Sequence, residues 1–190
     1  MNIFVLNEDP KQAAWDMCNK HVVKMIVEFC QLLSTAHHVL DGSEITRTGK
    51  NGRKFKTYET SRKDFFFPSL LRCTMVNHPC TIWTRSSAAA YHWLWLHVKE
   101  MLKVYEARYN KIHSYDSLVQ YSLIHLPLNI PLVPLPPFAQ AMPDEYKREN
   151  AVEAYRAYYV GAKSRFAVWP ENKIPKWYLD GLQTGATIAA

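Results

Sequence analysis

The stretch from Asn19 to Leu40, NKHVVKMIVEFCQLLSTAHHVL, constrains the fold of this chain more than any other. On a helix at about 100° per residue its polarity collapses onto one seam. Lys20, His21, Lys24, Glu28, Gln31, Thr35 and His38 fall within about 100° of arc, the width of a single helix face. Val22, Val23, Met25, Ile26, Val27, Phe29, Cys30, Leu32 and Leu33 cover the rest. A helix apolar around most of its circumference is buried on several sides, so its polar seam must face a cleft, a partner or a buried polar network. Glu28 is the only acid between Lys20 and Leu40, and Lys24 stands one turn before it. In a semi-buried cleft a carboxylate and an amine can do acid–base or nucleophilic work. The competing reading is a satisfied internal ion pair.

Around this helix the chain punctuates itself clearly. Met1 to Leu6 is apolar and short, a small strand or an extended arm. Asp9-Pro10-Lys11-Gln12 starts a helix, with Asp as cap and Pro in the first turn, running to about Cys18. Asp41-Gly42 stops the long helix. Asn51-Gly52 signals a hairpin turn. It sits in a segment, Arg47 to Lys63, that carries seven basic residues against the single acid Glu59. Phe65-Phe66-Phe67-Pro68 reads as a hydrophobic plug. Asn77-His78-Pro79 opens a helical region from Cys80 to Asn110, with a break expected at Arg85-Ser86-Ser87. Tyr91, Trp95, Val98, Leu102 and Tyr105 recur there at three-four spacing and read as core. Ser114 is expected to cap a shorter helix ending near His125.

Prolines 127, 131, 134, 136, 137 and 143 lie between Leu126 and Pro143. They forbid regular helix or central strand there. The leucines of this segment, with Val133 and Phe138, suggest an extended strap packed on the core. Asn150 to Trp169 reads as one amphipathic helix, with Val152, Tyr155, Tyr159, Ala162, Phe166 and Trp169 on its apolar stripe. Lys176-Trp177-Tyr178 is expected to pack back, and residues 180–190 to fray. The expected architecture is mainly α: a single helical domain over residues 1–190, with a basic hairpin-like loop and a Pro-rich extended strap.

A chain of 190 residues that is 48% hydrophobic can bury one sizeable core. Net charge of +6 and six Trp, eleven Tyr and eight Phe tilt the expected partner toward a polyanion, DNA or nucleotides. Glu8 and Asp9 after the short apolar start argue against a signal peptide, and no run approaches a membrane span, so a cytoplasmic setting is expected. Cys18, Cys30, Cys73 and Cys80 form no CxxC pair and read as reduced thiols. Cys18, His21, His78 and Cys80 have the residue types for zinc but not the paired spacing, so no metal site is assigned. P-loop, Rossmann, HExxH and GxSxG patterns are missing, and no cofactor is expected.

What remains is His21, Lys24 and Glu28 with the cations His78, Arg85, Arg156 and Lys163. An amine that attacks an electrophilic sugar carbon, with a carboxylate stabilising the developing positive charge and shuttling protons, suits such a set. Cations nearby would hold phosphates. Excision of a damaged base through an imine fits. Transfer or hydrolysis chemistry on free nucleotides or modified bases fits too, and so does a non-enzymatic protein binding DNA or a host protein.

The segments MNIFVLNEDP, NKHVVKMIVEFCQLLSTAH, NHPCTIWTRSS, QAMPDEYK and AYRAYY…KSRFAVW resemble small proteins of tailed phages. More distantly, the chain resembles the phage-type pyrimidine-dimer DNA glycosylases of the endonuclease V type. Those are small, basic helical enzymes with an N-terminal amine as nucleophile and a catalytic Glu on an early helix. A His seven residues before the Glu is matched by His21 and Glu28. The arginines that flank that Glu are not matched, since Val27 precedes Glu28 and Gln31 follows a turn later. Asn2 disfavours removal of the initiator, which places the free amine on Met1, with the amine of Lys24 as the other candidate. The resemblance implies a DNA glycosylase with AP-lyase activity in which Glu28 is the acid/base and His21 orients it or the substrate. Lys20, His78, Arg85, Arg156 and Lys163 would hold phosphates, and Lys50, Arg53, Lys54 and Lys56 would reach the DNA backbone.

Overall fold

The long helix forms over the predicted span, as α2 (Asn19–Asp41), and the rest of the chain packs around it. The computed structural model describes residues 1–60 and 70–188, and the side chains of residues 1–60 and 70–184. Phe65, Phe66, Phe67 and Pro68, and with them Arg62 and Lys63, lie outside the described residues. Helix α1 (Pro10–Trp15) precedes α2, capped by the Asp9 carboxylate on the Lys11 N–H. After α2 come strands β1 (Gly42–Thr48) and β2 (Lys54–Thr60), an antiparallel pair in the register Gly42↔Thr60 to Thr48↔Lys54. Helices α3 (Pro79–Ser86) and α4 (Ala88–Tyr109) follow, capped by His78 and Ser87 on either side of the expected break. Helices α5 (Ala151–Tyr158) and α6 (Lys176–Ile188) complete a mainly helical, single compact domain. Among the described residues no helix is long and apolar enough to cross a membrane.

The polar seam of α2 turns out to have two destinations. Its first turns, with Lys20, Lys24 and Glu28, open on a cleft. Its last turns lie in a buried network. Thr35 Oγ1 accepts from the Thr74 N–H at 3.1 Å, and His38 bonds the Leu71 carbonyl and the Thr60 N–H. This network ties β2 and the loop at 70–78 to the helix. Gly42 makes the junction possible, because a Cβ there would stand 2.4 Å from the His38 carbonyl oxygen. The hairpin reverses through Gly49–Arg53, where Gly52 takes a left-handed φ of 76°, as a tight loop demands. On the apolar side of α2, Met25, Ile26, Phe29, Leu32 and Leu33 are fully buried, whereas Val23 is 45% exposed.

Met1 to Leu6 is an extended arm and not a strand, threaded through the core with Ile3, Phe4, Val5 and Leu6 buried. It is bolted in place by Arg156, whose Nε donates to the Leu6 carbonyl, and by Trp93, whose indole donates to the Glu8 carbonyl. Phe4 takes a left-handed φ of 42°, a strained conformation for a bulky residue. Its ring is locked by neighbours, with centroids 4.4 Å from His21 and 5.5 Å from Tyr159.

Three expectations are corrected. The helix starting at Asn150 does not reach Trp169; α5 widens at Tyr158 into a π-helical turn (Tyr159–Lys163) and unwinds after it. The tight seat of Gly161, whose Cβ would meet the Tyr146 ring at 2.5 Å, lies in that turn. The short helical segment after α4 is opened by His113, whose Nδ1 accepts from the Tyr115 N–H, and not by Ser114; its π-helical part is Leu118–Ser122. The proline-rich strap is extended, and Ile130 and Met142 are buried while Phe138, Ala139 and Ala141 pack on the core, but Leu126, Leu128, Val133 and Leu135 are exposed and Leu132 is 85% exposed.

Candidate active site

The cleft at the first turns of α2 has a volume of about 270 Å³. One wall is the arm and α2, contributing Met1, Asn2, Phe4, Lys20, His21, Lys24 and Glu28; the other is Lys163, Arg165 and Phe166 from the π-helical turn and its exit. Each wall follows from local structure. The left-handed kink at Phe4 aims the start of the arm at α2, so that the Met1 amine stands 3.9 Å from Glu28 Oε2. Residues four apart on a helix share a face. That spacing on α2 sets the Lys24 ammonium 3.2 Å from Glu28 Oε1. One carboxylate therefore faces two amines, one on each oxygen. The Met1 side chain is 8% exposed, Glu28 17% and Lys24 63%, so the first pair is sheltered and the second is wet. The π-helical turn carries Lys163 across from them. Such turns are often found at functional sites.

His21 is the floor. Its Nδ1 is hydrogen-bonded to the Tyr159 hydroxyl, and its ring packs edge-on to Phe166 at 5.3 Å. Burial drives its pKa down to about 3, helped by the charges of Lys163, Lys24 and Lys20, so the ring is neutral at physiological pH. Burial likewise lowers His97 to about 4; its Nδ1–H donates to the Pro10 carbonyl at 2.8 Å. In the unfolded chain both rings take up a proton near pH ~6.5. Below that pH the unfolded state binds more protons than the fold, so stability falls as acid is added, by about 1.4 kcal/mol per pH unit for each ring. Urea midpoints are expected to drop measurably between pH 7 and pH 5. A flat profile would show that these rings titrate normally.

The remaining predicted residues divide. Lys20 lies over the Phe166 ring at 4.8 Å, and Lys163 donates to the Tyr158 hydroxyl at 2.8 Å; both line the cleft. His78 is close enough to the Met1 amine and Glu28 to feel both charges, and burial, then the amine, lowers its pKa. Its Nδ1 accepts from the Cys80 N–H, which leaves Nε2–H as a donor on a neutral ring. Arg85 and Arg156 are not brought to the cleft. Arg85 donates to the Val76 carbonyl, and Arg156 holds Leu6 and lies 5.3 Å from the Trp177 ring. Lys50, Arg53 and Lys54 stand around the hairpin tip, and Lys56 pairs with Glu44 at 2.8 Å. Cys18 neighbours Tyr159 while Cys80 neighbours Asn2 and Tyr155, and among the described residues no three metal-ligating side chains converge.

Arg165 and Phe166 belong to the site, though in the sequence Phe166 falls on a core stripe and nothing singles out Arg165. Only the break in α5 turns them to the cleft, and Gly161 was its one visible sign. A sheltered carboxylate between two amines, facing a half-buried aromatic ring and three more cations, defines a small helical protein built for a polyanionic substrate. Residues 1–117 match the family model of pyrimidine dimer DNA glycosylases, and the chain belongs to that family. Its class of function is therefore that of a DNA glycosylase. The match covers the whole arm-and-α2 wall; Lys163, Arg165 and Phe166 lie beyond it. No curated protein and no solved structure matches the chain.

Proposed function

We propose that the chain excises damaged pyrimidines from DNA and cleaves the strand at the resulting site, with the Met1 amine as nucleophile and Glu28 as acid/base. The observation that carries this reading is the Met1 amine 3.9 Å from Glu28 Oε2 in a sheltered cleft. Lys24 is the weaker candidate. Its side chain is 63% exposed, so the desolvation that activates a lysine amine is not supplied. An α-amine is also the weaker base of the two kinds, and more of it is uncharged at neutral pH. Lys24 instead holds the second oxygen of Glu28.

The chemistry then runs on these groups. The uncharged amine attacks C1′ of the target nucleotide; the C1′–N bond breaks and its electron pair leaves with the base, which takes up a proton. Glu28 removes a proton from the new C–N linkage and returns it to O4′ as the sugar ring opens, leaving an iminium. Loss of a C2′ proton to Glu28 then expels the 3′ phosphate by β-elimination, and water releases the amine. Lys20, Lys163, Arg165 and the neutral His78 donor hold the flanking phosphates, and Phe166 offers a face to the extruded base. The basic hairpin tip extends the contact along the backbone.

A nicking assay tests this directly. Duplex DNA carrying pyrimidine dimers is expected to yield cleaved strands ending in an unsaturated aldehyde, and undamaged duplex none. Intact strands on both dimer and abasic substrates would overturn the proposal.

A further inference from the structure

A second cavity, of about 560 Å³, lies between β2 and the loop that precedes α3. Phe55, Lys56 and Thr57 line it from the strand; Met75, Asn77 and His78 line it from the loop. That volume is in the range of small-molecule sites, about 300–1,000 Å³. Two features set it apart from a surface crease. Phe55 is 49% exposed and Met75 is 52% exposed, so each element presents a large apolar side chain to the same space. Met75 also holds a left-handed φ of 49°, which no glycine relieves. Strain of this kind persists where the surroundings over-determine it, and it clusters at ligand clamps. The surroundings here do so: Thr74 is bonded to Thr35 through both its N–H and its carbonyl, and the His78 N–H donates to the Met75 carbonyl. The loop is pinned on both sides of the residue it strains.

His78 lines the groove and is near enough to the Met1 amine and Glu28 to feel both charges, which puts the groove beside the cleft. The charge is complementary to nucleic acid. Lys56 is tied to Glu44 in a solvent-exposed pair, and such a pair is weak enough to exchange for a phosphate. Lys50, Arg53 and Lys54 stand beyond it around the hairpin tip.

Resting on the glycosylase reading above, we infer that this groove holds one unpaired nucleotide of the attacked strand, beside the attacked site, with its base between Phe55 and Met75. A paired base could not leave its stack to enter without the cost of unpairing, so the groove favours lesions whose flank is already single-stranded. Stacking on one aromatic ring is sequence-tolerant, so the preference is for an open flank and not for a particular base.

The test uses the full chain and DNA containing a tetrahydrofuran abasic analogue, in a complete duplex and in a duplex gapped opposite the flank. 2-Aminopurine in the flank reports stacking. The wild type is expected to bind the gapped DNA more tightly and to quench the 2-aminopurine. Phe55→Ala is expected to weaken that binding about tenfold and to abolish the quenching, with the complete duplex bound as before. Met75→Ala, read in parallel, guards against a local defect of one variant and is expected to act in the same direction. Equal effects on both DNAs, or none on either, would overturn the inference. Borohydride trapping on a natural abasic site separates it from the function it rests on. A chain that shows the flank preference but forms no adduct keeps the groove and loses the glycosylase reading. A chain that traps normally with no effect of Phe55→Ala keeps the chemistry and loses the groove.

Discussion

Glu28→Gln is expected to lower single-turnover cleavage of an abasic duplex by about 10²- to 10⁴-fold, the range supplied by a positioned acid–base group. The amide keeps the shape of the carboxylate but neither accepts a proton from the Met1 amine nor stabilises the iminium. The fold should barely notice. The Lys24 side chain is 63% exposed, and the sheltered Met1 amine stands 3.9 Å from the carboxylate, beyond hydrogen-bond distance, so it loses little when the charge goes. Exposed pairs contribute little to stability, so the melting temperature is expected to stay within about 3 °C of wild type. Rate and melting curve measured on one preparation check both halves. Near-normal cleavage by the variant would remove Glu28 from the mechanism. A collapse of the melting curve would return it to the role of a structural ion-pair partner.

Phe4→Ala is expected to have the largest effect on stability of any change near the site. The Phe4 side chain is 4% exposed and packs against His21, Tyr155, Tyr158 and Tyr159. Truncating such a ring costs about 3–5 kcal/mol, which for a chain of this length corresponds to a loss of roughly 10 °C in melting temperature. Activity should fall too, because Phe4 is the anchor that aims the arm. Once the arm loosens, the Met1 amine no longer samples one position beside Glu28, and small misplacements of reacting groups are expensive in rate. Phe4→Leu should recover part of both. A change below about 2 °C in the alanine variant, less than one kcal/mol of ring burial would produce, would show that the arm is held elsewhere, by Leu6 and Glu8 alone.

Much of this could be read from the residues before any geometry was known. The span of α2 followed from its seam, and the seam's two destinations were among those its pattern allowed: a cleft for Lys20, Lys24 and Glu28, a buried network for Thr35 and His38. The helix starts at Asp9 and at Asn77-His78 were legible because capping is local chemistry. What was not legible depended on contacts between distant segments. Arg156 looks like any surface cation in sequence, yet a carbonyl of the N-terminal arm claims it. Phe166 continues an apolar stripe, yet the widened turn at Tyr159–Lys163 takes it out of phase and into the cleft. The strap's leucines were expected inside because leucine usually is. The prolines hold the chain extended, so only some of its side chains can face the core. Leu132 faces out.

The measurement that tests the central claim most directly is borohydride reduction during reaction with an abasic or dimer-containing duplex, followed by peptide mass mapping. Reduction converts the iminium into a stable secondary amine, so the adduct marks the attacking nitrogen. The geometry around Glu28 predicts an adduct on the peptide that begins at Met1, retained in Lys24→Met and lost when the α-amine is acetylated. An adduct on Lys24, or none on any lesion, would contradict it.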